Sequence, residues 1–182
     1  EPTNEGYALA KIIIARLCEY INAENPKFKY KTMIPCNIYG KYDSFDSEKS
    51  HLLPAIIQKI HFAKENNFSE VEIWGDGKSR REFMYAGDLA DAVVFSLTNF
   101  ENMPFLLNIG VGYDHSINEY YKMVASILGF NGTFRNNYEK PVGMKRKLVS
   151  IKRQESWGWK AKTDLQKGIE LTYHYYKREL SK

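Results

Sequence analysis

The sequence predicts an α/β domain with parallel strand pairing, and two kinds of observation predict it. Short apolar strand candidates alternate along the chain with stretches of helical periodicity. The helical stretches also carry local start and stop signals, and neither internal repeats nor a Pro- or Ser-rich linker interrupts them.

Residues from about Glu5 to Ala23 read as a helix, because Ala8, Ile12, Leu17, Tyr20 and Ile21 recur at helical spacing before Asn25-Pro26. Tyr30–Pro35 reads as a buried strand, closed by Asn37-Ile38-Tyr39-Gly40. The polar run from Tyr42 to Ser50 reads as a loop, and a second helix is expected from about Leu52 to Ala63. Val71–Trp74 alternates as a short strand and turns at Gly75-Asp76-Gly77. An apolar helix with an Asp in its first turn follows over Asp88–Leu97, and Leu106–Ile109 reads as a short buried strand. Ser116 and Glu119 form a capping box that opens a helix ending at Leu128, before Gly129. After a basic loop, a last helix covers about Leu165–Lys177.

Composition narrows the classes of function. At 182 residues the chain has the size of one domain, and 43% hydrophobic with 26% charged residues is ordinary for a globular protein. The longest apolar runs, Ala10–Ile14 and Val93–Leu97, are too short to cross a bilayer, and the polar opening Glu1–Glu5 has no secretory pattern. Cys18 and Cys36 could form at most one bridge, so reduced thiols in a cytoplasmic protein are the expectation. The net charge is +4 (26 − 22) and gathers at Lys145-Arg146-Lys147 and at Lys78, Arg80 and Arg81. That density is too low for a nucleic-acid stripe; it suits either a solvated surface or a pyrophosphate site. His51, His61, His115 and His174 lack ligand spacing and acidic or Cys partners, so no metal site is expected.

One short motif carries chemistry. Tyr7 and Lys11 stand four apart on the first helix, which places a phenol and an ammonium on one face. A neighbouring cation favours the phenolate and makes proton exchange easier at neutral pH. Alone, the pair occurs by chance in many helices.

Its surroundings give it weight. Pro2–Lys11, Ile34–Gly40, Ser50-His51-Leu52-Leu53-Pro54-Ala55, Ile73–Gly77, Arg80-Arg81-Glu82-Phe83 and the Lys140–Leu148 block arrive in a familiar order. Gly158-Trp159 and Gly168–Tyr173 follow them. In this the chain resembles the fucose synthase branch of the extended short-chain dehydrogenase/reductase family, over nearly its whole length. The resemblance implies that residues 1–182 are the C-terminal portion of such an enzyme, holding the Tyr-x-x-x-Lys helix and a smaller α/β substrate-binding lobe beside part of a Rossmann-like sheet. The Gly-rich dinucleotide-binding half and the Cys that partners the histidine would then lie upstream.

The resemblance further implies an NADPH-dependent epimerase/reductase acting on GDP-4-keto-6-deoxy-mannose, homodimeric as a whole protein. Tyr7 would be the general acid at C4, and Lys11 would bind the nicotinamide ribose and tune Tyr7. Pro35, Cys36, Asn37 and Ile38 would contact the nicotinamide end of NADP through their backbone. His51 would touch the cofactor and serve as the acid/base for epimerisation at C3 and C5, whose protons the 4-keto group acidifies. Lys59, Trp74, Arg81 and Lys140 would bind the GDP-sugar, with Lys59 standing where the family usually has Arg. Three positions depart from the pattern: Val142 replaces an acidic contact, Ser150 an Asp, and Gly87 an Asp. The first implies a changed sugar or nucleotide contact, which leaves a related 4-keto sugar such as a heptose, or C4 reduction without epimerisation, as alternatives. A non-catalytic sugar-nucleotide-binding or assembly module is a third.

Overall fold

The computed structural model describes residues 5–46, 50–140 and 143–180. The departure at Val142 and the start of the first motif, Glu1–Asn4, lie outside the described residues.

The predicted α/β architecture is present. Helix α1 (Glu5–Glu24) leads to strands β1 (Thr32–Pro35) and β2 (Asn37–Tyr39) and then to helix α2 (Leu52–Glu65). Strands β3 (Glu70–Trp74), β4 (Arg80–Arg81) and β5 (Phe83–Tyr85) precede helix α3 (Ala86–Thr98), strand β6 (Leu106–Ile109) and strand β7 (His115–Ser116). Helix α4 (Ile117–Leu128), strands β8 (Thr133–Asn137) and β9 (Arg146–Lys147), and helices α5 (Lys152–Trp157) and α6 (Leu165–Leu180) complete the order. Strands β1 and β6, β2 and β5, and β3 and β8 pair in parallel, whereas β4 lies between antiparallel β7 and parallel β9.

Two apolar cores hold these elements. In α2, Leu53, Ile56, Ile57 and Ile60 recur at helical spacing and are fully buried against Val124 of α4 and Ile169 of α6. Burying each such side chain contributes about 1.5–3 kcal/mol. Gly168 lets α6 approach closely, since an added Cβ there would strike the hydroxyl of the buried Tyr39. The second core joins β5, β6, α3 and α5 through Met84, Leu107, Ile109, Ala92 and Trp157, together with Cys36 between β1 and β2. In α6, Tyr176 is buried and Tyr173 packs edge-on against His61.

The capping box forms as expected: the Glu119 amide donates to Ser116 Oγ at 3.2 Å, and the Ser116 amide donates to Glu119 Oε2 at 2.6 Å. Gly129 closes α4 in the left-handed region at φ +68°.

Two expectations need correction. The strand expected to be buried over Tyr30–Pro35 begins at Thr32 and is only partly covered, with Ile34 40% exposed. Among the described residues it pairs only with β6, and the face carrying Met33 and Leu107 meets the core. Likewise β6 buries Leu107 and Ile109 but leaves Leu106 exposed. Helix α1 forms where periodicity placed it, yet none of its residues is buried. Its apolar side chains surround the axis rather than forming one stripe, and Leu9, Ile12, Ile13, Ile14 and Leu17 are all exposed.

Candidate active site

Tyr7 and Lys11 occupy the first turns of α1, with the Lys11 ammonium 5.3 Å from the centroid of the Tyr7 ring. The helix pitch accounts for the juxtaposition, and Tyr7 is 70% exposed. Among the described residues, no hydrogen bond joins this pair to the other expected site residues.

The Pro35–Ile38 stretch passes from β1 into β2 and is fixed by main-chain bonds. The Cys36 amide donates to the Ile109 carbonyl at 2.8 Å, and Asn37 and Ile38 pair with Phe83 and Met84 of β5. Burial, aided by the nearby Glu82 carboxylate, pushes the Cys36 thiol up to about 12. Cys36 is therefore an inert packing group rather than a nucleophile. The Asn37 side chain is tied at both ends. Its Nδ2 donates to the Glu82 carbonyl at 2.8 Å, and its Oδ1 accepts from Lys147 Nζ at 3.3 Å.

His51 stands at the N-cap of α2 in extended backbone conformation, and its carbonyl accepts from the Ala55 amide. The imidazole does not cap the helix and points from an exposed position. Asp43 lies within its electrostatic reach: burial raises the Asp43 carboxyl, while the Ser44 amide and His51 pull it back down. Asp43 was hidden from the sequence inside a loop that reads only as polar.

Three of the four expected substrate residues converge. Lys59 of α2 and Lys140, just beyond β8, both place their ammonium groups over the ring of Trp74 at the end of β3, at 4.6 and 5.2 Å from its centroid. The parallel β3–β8 pair puts Trp74 opposite Asn137, which carries Lys140 into place. Burial lowers the Lys59 pKa, Glu72 opposes that shift, and the second ammonium adds to it. Two cations within reach of one half-exposed ring, 54% accessible, form an anion-attracting surface with an aromatic floor.

Arg81 is a partial match. Its Nη1 donates to the Arg80 and Met144 carbonyls at 2.8 and 2.6 Å, which orients the guanidinium along β4. Neither of these bonds reaches Trp74. Arg80 does not form the solvated basic surface that the charge pattern allowed. Its Nε donates to Asp114 at 2.7 Å, Arg146 binds the other Asp114 oxygen, and the Arg80 guanidinium also reaches Glu119 at 3.3 Å. Arg146, foremost, holds the Asp114 carboxyl below the usual carboxylate range. Among the described residues, no three His, Cys, Asp or Glu side chains are placed to hold a metal ion.

A parallel α/β framework, a Tyr–Lys pair one helical turn apart and a separate cationic–aromatic surface define a class. The chain belongs to the NAD dependent epimerase/dehydratase family, matched over residues 1–110. Within it, the chain is 56% identical to the GDP-L-colitose synthase of Yersinia pseudotuberculosis over 98% of its own length, covering 58% of that protein. It is 49% identical to the GDP-L-fucose synthase of Azorhizobium caulinodans, across 97% of this chain and 56% of that protein. The GDP-mannoheptose C4 reductase of Campylobacter jejuni, solved with NADP bound, superimposes with a TM-score of 0.84 at 34% identity, over 97% of this chain and 61% of that one. The chain thus spans somewhat more than half the length of these relatives. No helix among the described residues is long and apolar enough to cross a membrane.

Proposed function

We propose that this chain supplies the Tyr–Lys pair and the sugar-nucleotide lobe of a cytoplasmic, homodimeric NADPH-dependent epimerase/reductase. Its substrate is GDP-4-keto-6-deoxy-mannose and its product GDP-L-fucose. One observation carries the substrate class: Lys59 and Lys140 flank Trp74, which suits a pyrophosphate held beside a flat ring. Tyr7 and Lys11, exposed on one face, offer a hydroxyl and an ammonium of the kind that a nicotinamide ribose would meet, and Asn37 adds an amide. NADPH, when bound, supplies the hydride. Tyr7 donates a proton to the C4 oxygen, and Lys11 favours the phenolate left behind. His51, beside Asp43, moves protons at C3 and C5.

The 56% identity with a GDP-L-colitose synthase and the likeness to a C4 reductase support a second reading, in which the sugar differs or epimerisation is lacking. The test joins the N-terminal portion of the Yersinia relative to this chain and supplies NADPH and GDP-4-keto-6-deoxy-mannose in deuterated water. Deuterium at C3 and C5 of a GDP-L-fucose product supports the first reading. Reduction without deuterium leaves a C4 reductase, and absence of any turnover while the joined protein binds both ligands refutes both.

A further inference from the structure

Glu82 is fully buried, yet none of the ion pairs among the described residues involves it. Its carboxyl oxygens accept three backbone amides instead: Val111 at 2.7 Å and Gly112 at 2.8 Å on one oxygen, and Val149 at 2.9 Å on the other. The loop after β6 is shaped to this group, since a Cβ at Gly110 would collide with it. The main chain of the same residue binds two further segments. Its amide donates to the Lys147 carbonyl at 3.2 Å, and its carbonyl accepts from Asn37 Nδ2 at 2.8 Å. Lys147, only two residues from Val149, then donates to the other end of the Asn37 amide at 3.3 Å. One residue thereby joins the Pro35–Ile38 stretch, the loop 110–112 and the strand β9 into a single unit.

We propose that Glu82 is the positioning residue that fixes the Asn37 side chain at the cofactor end of the site, acting through Lys147 and the β9 backbone. This rests on the reading of Asn37 as a cofactor contact given above. The carboxylate is the right group for the task because all its partners are donors. In a Gln at this position, either orientation of the amide would set an NH2 group against a backbone N–H, with no room to turn away in a sealed core. The displacement falls on Val149 or on Val111 and Gly112, and the first case pulls Lys147 off Asn37.

A double-mutant cycle in the joined protein tests this, with NADPH affinity read by calorimetry. Asn37→Ala is expected to weaken NADPH binding about 10-fold, the worth of one hydrogen bond to a polar ligand. Glu82→Gln and Lys147→Met should each weaken it about 3- to 10-fold in the parent background but less than about 2-fold beside Asn37→Ala. Additive losses overturn the proposal. Lys147 is exposed, so Lys147→Met carries the test even where Glu82→Gln does not fold. If Asn37→Ala leaves NADPH affinity unchanged, the cofactor reading of Asn37 fails instead. Positioning is then read in the 182-residue chain itself, where both variants should shift the Asn37 side-chain amide resonances, and unchanged resonances overturn it.

Discussion

Replacing Trp74 by Ala should weaken GDP binding by the joined protein about 5- to 30-fold. The ring holds two ammonium groups, at 4.6 and 5.2 Å, both inside the roughly 6 Å range of a cation–π contact. Trp74 is half-exposed, so each contact belongs at the lower end, about 0.5–1 kcal/mol. Losing both frees two long side chains that must then be ordered again when an anion binds. Together these amount to about 1–2 kcal/mol, which sets the stated range. Fold stability should change little, because the ring caps the end of a strand rather than filling a core. Calorimetric titration with GDP at low and moderate salt checks the figure, with a thermal melt as the control for folding. Lys59→Met should cost much less in the Trp74→Ala background than in the parent, since both act on one surface. The same surface has a pH signature. Burial depresses the Lys59 pKa, so its charge, and with it GDP affinity, should start to fall at a pH below the ordinary lysine value of 10.5. A loss under 2-fold in Trp74→Ala, with folding intact, would refute the cationic–aromatic site.

Three further outcomes are expected. Tyr7→Phe in the joined protein should lower kcat for C4 reduction about 10²- to 10⁴-fold while NADPH affinity stays nearly unchanged, because the phenol acts in the transition state; steady-state kinetics beside a calorimetric titration checks both. His51→Gln should abolish deuterium incorporation at C3 and C5 yet still permit some hydride transfer to the unepimerised ketone, read by NMR of the product; incorporation at the parental rate removes His51 from the acid/base role. His61, half-buried against Tyr173 with its Nδ1 3.0 Å from the hydroxyl, has a pKa lowered chiefly by partial desolvation. Its neutral form is therefore the native one. Stability should be full above 6.5 and decline as pH falls through the lowered value, and His61→Gln should flatten that slope in melts between pH 7.5 and 5.

Local signals were legible where structure is set locally. The Ser116–Glu119 box, the Gly129 stop and the strand cores Val71–Trp74 and Leu106–Ile109 lie where the sequence placed them, because caps and short periodicities are decided within one turn or one pleat. Strands β4, β5, β7 and β9 escaped, being two or three residues long and defined only by partners far away, as Arg80 pairs with Ser116 and with Arg146. Strand β8, Thr-Phe-Arg-Asn-Asn, is too polar to announce itself and forms because β3 offers it a parallel edge. The six-residue helix α5 also went unread. In the site, the pairing of Tyr7 with Lys11 is written in their spacing. The gathering of Lys59, Trp74 and Lys140 is not, since it takes the packing of α2 and the β3–β8 register to bring residues so distant in sequence together. Asp43 and the hub at Glu82 depend wholly on tertiary contacts and had no signal that the chain alone could give.

The Arg80–Arg81 doublet looks redundant in one dimension and is not so in three. Successive side chains of a strand leave by opposite faces, so Arg80 is spent on Asp114 and Glu119, while Arg81 turns to the Met144 carbonyl. Duplicate letters here hold separate jobs, and neither can inherit the other's. An alignment that counted basic residues would score the loss of either as harmless. Deleting Glu82 itself would be graver still than substituting either arginine, because with Phe83 held in place it would exchange the two faces and slide Arg81 into the place of the buried carboxylate.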